Sequence, residues 1–93
     1  MAGYVLVVES DAELQRQIGV ALRDAGFDLH AEAEAAWARR SVGTRIPDVV
    51  VVDTRLADGD GFSFAEELRH APETRDTPIV FVASTQSLRH TVW

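Results

Sequence analysis

The chain has 93 residues, enough for one domain with a modest core. It contains no cysteine, which excludes disulfides and thiolate metal sites, and its net charge of −6 argues against nucleic acid as the main partner, because phosphate binding needs a basic face. No apolar run reaches the length of a membrane span and no basic-then-apolar leader opens the sequence, so a cytoplasmic protein without a membrane partner is expected.

Tyr4-Val5-Leu6-Val7-Val8 reads as a fully apolar strand that ends at Glu9-Ser10-Asp11. A helix follows, with Leu14, Ile18, Ala21, Leu22 and Ala25 at helical spacing. Ser10 and Glu13 fit a capping box at its start, and Gly26 fits its stop. Residues 27–31 alternate apolar and polar, as a sheet-edge strand does. A second helix is expected from Glu34 to about Val42, anchored by Trp37, then a loop over 43–47. Val49-Val50-Val51-Val52-Asp53 is the third strand, its four consecutive β-branched residues marking burial on both faces. A glycine- and aspartate-rich turn covers 57–61. The third helix spans Phe62 to about His70 with Phe64, Ala65 and Leu68 inward, and a polar loop leads to a fourth strand over 78–83.

Strand–helix repeated three times and closed by a strand, with right-handed crossovers, gives a parallel α/β sheet with helices on both faces. The order 2-1-3-4 puts the alternating strand at one edge and leaves Ile79 to Val82 as a flat apolar edge at the other, which soluble proteins avoid. A missing strand, the last ten residues (Val92 and Trp93 among them) or a second subunit is expected to cover it, and a homodimer through this edge is the leading expectation. A fragment of a longer regulator would leave the same bare edge.

In that sheet the first and third strands are neighbours, so Glu9, Ser10, Asp11 and Asp53 cluster at their carboxyl ends, where open α/β sheets place their chemistry. A carboxylate there serves as a nucleophile, a metal ligand or both; the plainer reading of Asp53 is a polar strand end. Oxygen ligands without histidine or cysteine suit Mg²⁺. For Ser10 the favoured reading is the helix cap. Trp37, Phe27 and Phe64 are expected in the core, Arg69 and Arg75 in solvent, and His30, His70 and His90 are too scattered for a metal site.

From Tyr4 to about Ser84 the chain resembles the receiver domains of bacterial two-component response regulators, the CheY-like, flavodoxin-like modules that take a phosphoryl group from a histidine kinase. The resemblance rests on the acidic end of the first strand, on Pro47-Asp48-Val49-Val50-Val51-Val52-Asp53, and on Asp60-Gly61 shortly after. It implies one receiver-like domain over residues 1–93, truncated before the family's fifth strand. It implies Asp53 as phosphoacceptor, Glu9 and Asp53 as Mg²⁺ ligands with the backbone carbonyl of Arg55, and Gly61 as the glycine opening the third helix. The partners implied are a histidine kinase or a downstream effector.

The departures are equally specific. Ser10 stands at the second acidic position, which in the family contacts the metal, and Asp11 is a candidate substitute whose side chain should point to the helix start. Ala83 stands at the switch position where the family has a hydroxyl, with Ser84 and Thr85 adjacent. Ala57 replaces a frequent proline. All nine basic residues are arginine, so the family's lysine has no counterpart here. The reading that follows is a non-enzymatic pseudo-receiver acting through protein contacts, with slow or absent phosphorylation. The alternative is a working receiver phosphorylated on Asp53 with Mg²⁺. A haloacid-dehalogenase-like phosphatase is a remote third, since Arg55 occupies the place of its second aspartate and the acid that protonates the leaving group is missing.

Overall fold

The computed structural model describes residues 3–83. The unbroken apolar run forms β1 (Tyr4–Val8), with all five residues buried. In chain order follow α1 (Ala12–Asp24), β2 (Asp28–Glu32), α2 (Ala35–Thr44), β3 (Val49–Asp53), the short strands β4 (Arg55–Leu56) and β5 (Gly59–Asp60), α3 (Gly61–His70) and β6 (Ile79–Val82). The main sheet is parallel, in the order β2-β1-β3-β6, which is the 2-1-3-4 arrangement of a flavodoxin-like fold; β4 and β5 pair as a separate antiparallel hairpin.

Alternate residues of the central strands serve two layers. Leu6, Val8, Val50 and Val52 join Ala35 and Ala38 of α2 and Phe64 and Leu68 of α3 in one buried cluster. Val5 and Val7 face the other way, beside Leu29 and Val51 in the paired strands, where α1 packs over β1 and β2. Gly19 is the buried residue of α1; a Cβ there would lie 4.0 Å from Leu29, so the helix sits close on the sheet.

Four expectations change in the structure. The cap of α1 is Asp11, whose Oδ1 accepts from the Leu14 amide at 3.0 Å, while Glu13 pairs with Arg16. The Glu9 amide donates to the Glu32 carbonyl (2.9 Å), so the extended run continues past Val8 and the turn into the helix falls one residue later than Ser10. At the other end Gly26, at φ +93°, and Phe27 donate back to Arg23 and Leu22, the paired bonds of a Schellman stop. Leu14, Ile18 and Leu22 are half-buried, but Ala21 and Ala25 are exposed, because α1 covers only the β1–β2 half of its face.

Trp37 is 52% exposed with the Arg40 guanidinium over its ring, instead of anchoring α2. Ala35 and Ala38, one turn apart, bring the helix close to the sheet, and Trp37 lies about 100° round from Ala38. Phe27 is half-buried and Phe64 fully buried.

Arg69 is not merely solvated. Its Nη1 donates to the carbonyls of Thr74, Arg75 and Thr77, the last at 2.7 Å, and so holds the loop before β6. The buried Thr74 hydroxyl adds a bond to the Leu68 carbonyl at 2.6 Å. Charged donors on backbone carbonyls are the stronger class of hydrogen bond. Arg69→Ala is expected to lower stability by about 1–2 kcal/mol in urea unfolding, with unchanged m-value; an unaltered midpoint would contradict that role.

Candidate functional site

The register fixes the site. Val8 lies beside Val52, so Glu9 and Asp53, each one residue further along, leave the sheet together at its carboxyl edge. Both carboxyls are buried, Glu9 at 1% and Asp53 at 3% exposure. Asp53 Oδ1 accepts from the Arg55 amide at 2.9 Å. Glu9 Oε2 accepts from the Asp11 amide at 3.1 Å, and Oε1 has no partner among the described residues. Burial first, and then the neighbouring Asp53 carboxyl, push the Glu9 carboxyl up to about 7. The acidic crowding expected from the strand order is present in the structure, and it favours the protonated form of Glu9.

The neighbouring residues hold this rim by hydrogen bonds. The Ser10 hydroxyl donates to the Ala33 carbonyl and accepts from the Ala57 amide at 2.9 Å. It thus joins the loop after β1, the loop after β2 and the turn between β4 and β5. Asp58 accepts from the Ala35 and Ala36 amides at 2.8 and 3.0 Å, and these two bonds hold its carboxyl below the usual range. Asp58 supplies the cap of α2 from the β4–β5 turn, since Glu34, at the cap position, makes no such bond. Asp60 caps α3 through the Ser63 amide at 2.8 Å.

Gly61 is required by close approach. A Cβ there would sit 2.1 Å from the Asp53 carbonyl oxygen, while the Gly61 amide donates to Thr54 at 3.0 Å. Gly61→Ala is expected to cost about 3 kcal/mol by forcing α3 away from the strand end. A thermal melt within error of the parent chain would contradict this.

Of the residues singled out in the sequence, Glu9 and Asp53 come together, with Arg55 directly after in the hairpin. Asp11 does not join them by its side chain, which caps α1 as its position implied. Among the described residues, no three acidic or histidine side chains gather as a metal-holding group. Ala83 follows β6 and is exposed; Ser84 and Thr85 lie outside the described residues, as do His90, Val92 and Trp93. Sequence reading assigned Ser10 to a cap and missed its bridge, and it passed over Asp58 as a turn residue. Neither had a local signal, because their partners stand 22 and more positions away. Among the described residues no helix is long and apolar enough to cross a membrane.

The family model for the response regulator receiver domain matches residues 5–92. The phosphate regulon transcriptional regulatory protein PhoB of Escherichia coli K12 is 29% identical over 84 residues, covering 90% of this chain and 37% of PhoB. The chain thus spans well under half the length of that relative. A sensor protein from Polaromonas sp. JS666 is 31% identical with a TM-score of 0.83, over 97% of this chain and 72% of that one. The receiver domain of sensor histidine kinase PA1611 from Pseudomonas aeruginosa PAO1, solved with a magnesium ion coordinated in its active site cleft, is 28% identical with a TM-score of 0.84, over 97% of this chain and 75% of that one.

Proposed function

The chain belongs to the response regulator receiver domains of two-component signalling, and from that premise we propose that it signals by protein contact, with Asp53 at the phosphoacceptor position of an impaired site. Asp53 and Glu9 stand where the phosphoryl group and its cation are handled in the family, and the Arg55 carbonyl completes the ligand positions. The observation that carries the proposal is Ser10. The second acidic position holds a neutral hydroxyl already engaged with Ala33 and Ala57, and the one nearby substitute, Asp11, is engaged with Leu14. Aspartyl phosphorylation places a dianion beside carboxylates, and cations normally offset that charge. Here, among the described residues, two carboxylates remain for the metal, and Ala83 stands at the position where the family has a hydroxyl. The partner is a histidine kinase or a downstream effector in the cytoplasm, met through protein surface.

A second reading, a working receiver, is favoured by one feature: Glu9 Oε1, without a partner among the described residues and buried beside Asp53, is a place for a hard cation. Mg²⁺ there would neutralise the pair and supply charge stabilisation for the incoming phosphoryl group. The two readings separate on incubation with acetyl phosphate or phosphoramidate and Mg²⁺, followed by intact mass. Little or no gain over hours is expected. A rapid gain of one phosphoryl group, lost in Asp53→Ala, would establish the working receiver instead.

A further inference from the structure

We infer that the β4–β5 hairpin is a latch that ties the state of Asp53 to the first turn of α2. The inference rests on Asp53 being the signalling position, as proposed above, and it gives that signal a route through α2. At the Asp53 end the tie is the Arg55 amide, which donates to Asp53 Oδ1 at 2.9 Å. A phosphoryl group or a cation drawing on that oxygen competes with the first residue of β4 for its lone pairs. From Arg55 onward the hairpin is short and closed, with Arg55 paired to Asp60 and Leu56 to Gly59, so a shift at Arg55 carries the whole turn.

At the other end, two adjacent turn residues hold the entry to α2. The Ala57 amide donates to the Ser10 hydroxyl, which donates onward to the Ala33 carbonyl. Asp58 accepts from the Ala35 and Ala36 amides, 23 and 22 positions back along the chain. Glu34 makes no side-chain bond of its own to the helix, so the first turn of α2 takes its cap from the hairpin. Beneath these bonds Leu56 shares the buried cluster with Ala35 and Ala38, so hairpin and helix also pack together. The contrast is with α3, which Asp60 caps from the adjacent position. A local cap moves with its helix, whereas a cap lent by another loop is lost when that loop moves. None of these bonds belongs to the main ladder, so the latch can release while β3 keeps its pairing with β1 and β6. Release leaves the Ala35 and Ala36 amides without their acceptors, and a helix end that loses its cap frays.

The test is amide hydrogen exchange by NMR on the 93-residue chain. It is read at Ala35 and Ala36 and normalised to Ile18 and Gly19 inside α1. Asp58→Ala is expected to speed exchange at both alanines about tenfold, the scale of a helix cap. Asp53→Ala removes the acceptor of the Arg55 amide without touching α2. It is expected to speed the same two amides about threefold, the scale of one hydrogen bond, and to add nothing in the Asp58→Ala background. Asp53→Asn, which keeps an acceptor oxygen, is expected to stay closer to the parent than Asp53→Ala. A cap with a structural role alone would respond to Asp58→Ala and ignore position 53. Coupling is reciprocal, so Asp58→Ala is also expected to speed exchange of the Arg55 amide, and this arm stands even if Asp53→Ala fails to fold. Parent rates at Ala35 and Ala36 in Asp53→Ala, an equal effect of Asp53→Ala with and without Asp58, or an unchanged Arg55 amide in Asp58→Ala would overturn the latch. None of these measurements needs a phosphoryl group, so the latch and the impaired site fail separately.

Discussion

Acidification from about pH 8 to about pH 5 is expected to stabilise this fold, and Glu9→Gln is expected to remove most of that dependence. Glu9 lies 1% exposed, with one carboxyl oxygen unpartnered among the described residues and Asp53 alongside, and its carboxyl is raised from 4.5 to about 7. Between those values the folded chain holds a proton that the unfolded chain has released. The contribution of Glu9 is therefore fully present below about pH 4.5 and is lost as the pH rises through about 7. The span is on the order of 2 kcal/mol, because each tenfold change in proton affinity is worth about 1.4 kcal/mol and the site relaxes on ionising. Asp58 and Asp60 act in the opposite sense, but their carboxyls are held below the usual range, so their loss falls beneath this window. The glutamine variant keeps the shape without the charge. At pH 8 it is expected to be more stable than the parent by a similar amount. Urea unfolding across the range checks both chains; a parent whose stability is flat or rises toward pH 8 would contradict the raised Glu9 carboxyl.

If the site is impaired as proposed, Ser10→Asp is expected to turn it toward a working one. The new carboxylate stands at the end of β1 next to Glu9, supplying the third acidic ligand that the described residues lack. Labelling of Asp53 by a small phosphoryl donor with Mg²⁺ is expected to rise about 10- to 100-fold, the scale on which a single well-placed charge acts in a transition state. The same change carries a cost without metal. A carboxylate can accept from the Ala57 amide, but it cannot donate to the Ala33 carbonyl, and it adds a third negative group to a buried pair. In chelator the variant is expected to be less stable by about 2 kcal/mol, and Mg²⁺ is expected to recover the difference. Ser10→Ala serves as the control: it loses the bridge and gains no labelling. Equal labelling of the aspartate variant and the parent would show that the second acidic position is not what limits the site.

The sheet was legible because its signals are local and redundant. Unbroken valine and leucine runs mark the interior strands, alternation marks β2, and Gly26 marks the stop of α1. The position of Asp53 was legible because it ends a buried strand, and the strand order placed Glu9 beside it. What the sequence hid is what long-range contacts decide. Asp11 rather than Ser10 caps α1 because a bond from Glu9 to β2 carries the strand one residue on. Trp37 is exposed because two small alanines, not the largest side chain, set the distance of α2 from the sheet. Ser10 and Asp58 each bind backbone groups of other loops, and no spacing along the chain reveals that. Arg69 looked like any surface arginine until the loop folded back over it.

Titration of Mg²⁺ into the unmodified chain tests the proposal of an impaired site most directly. A pair of carboxylates without a third acid is expected to show no saturable binding through the low millimolar range, and no Mg²⁺-dependent gain in thermal stability. Saturable binding at millimolar or tighter affinity, abolished in Asp53→Ala, would contradict it and make Asp53 the centre of a working phosphoacceptor.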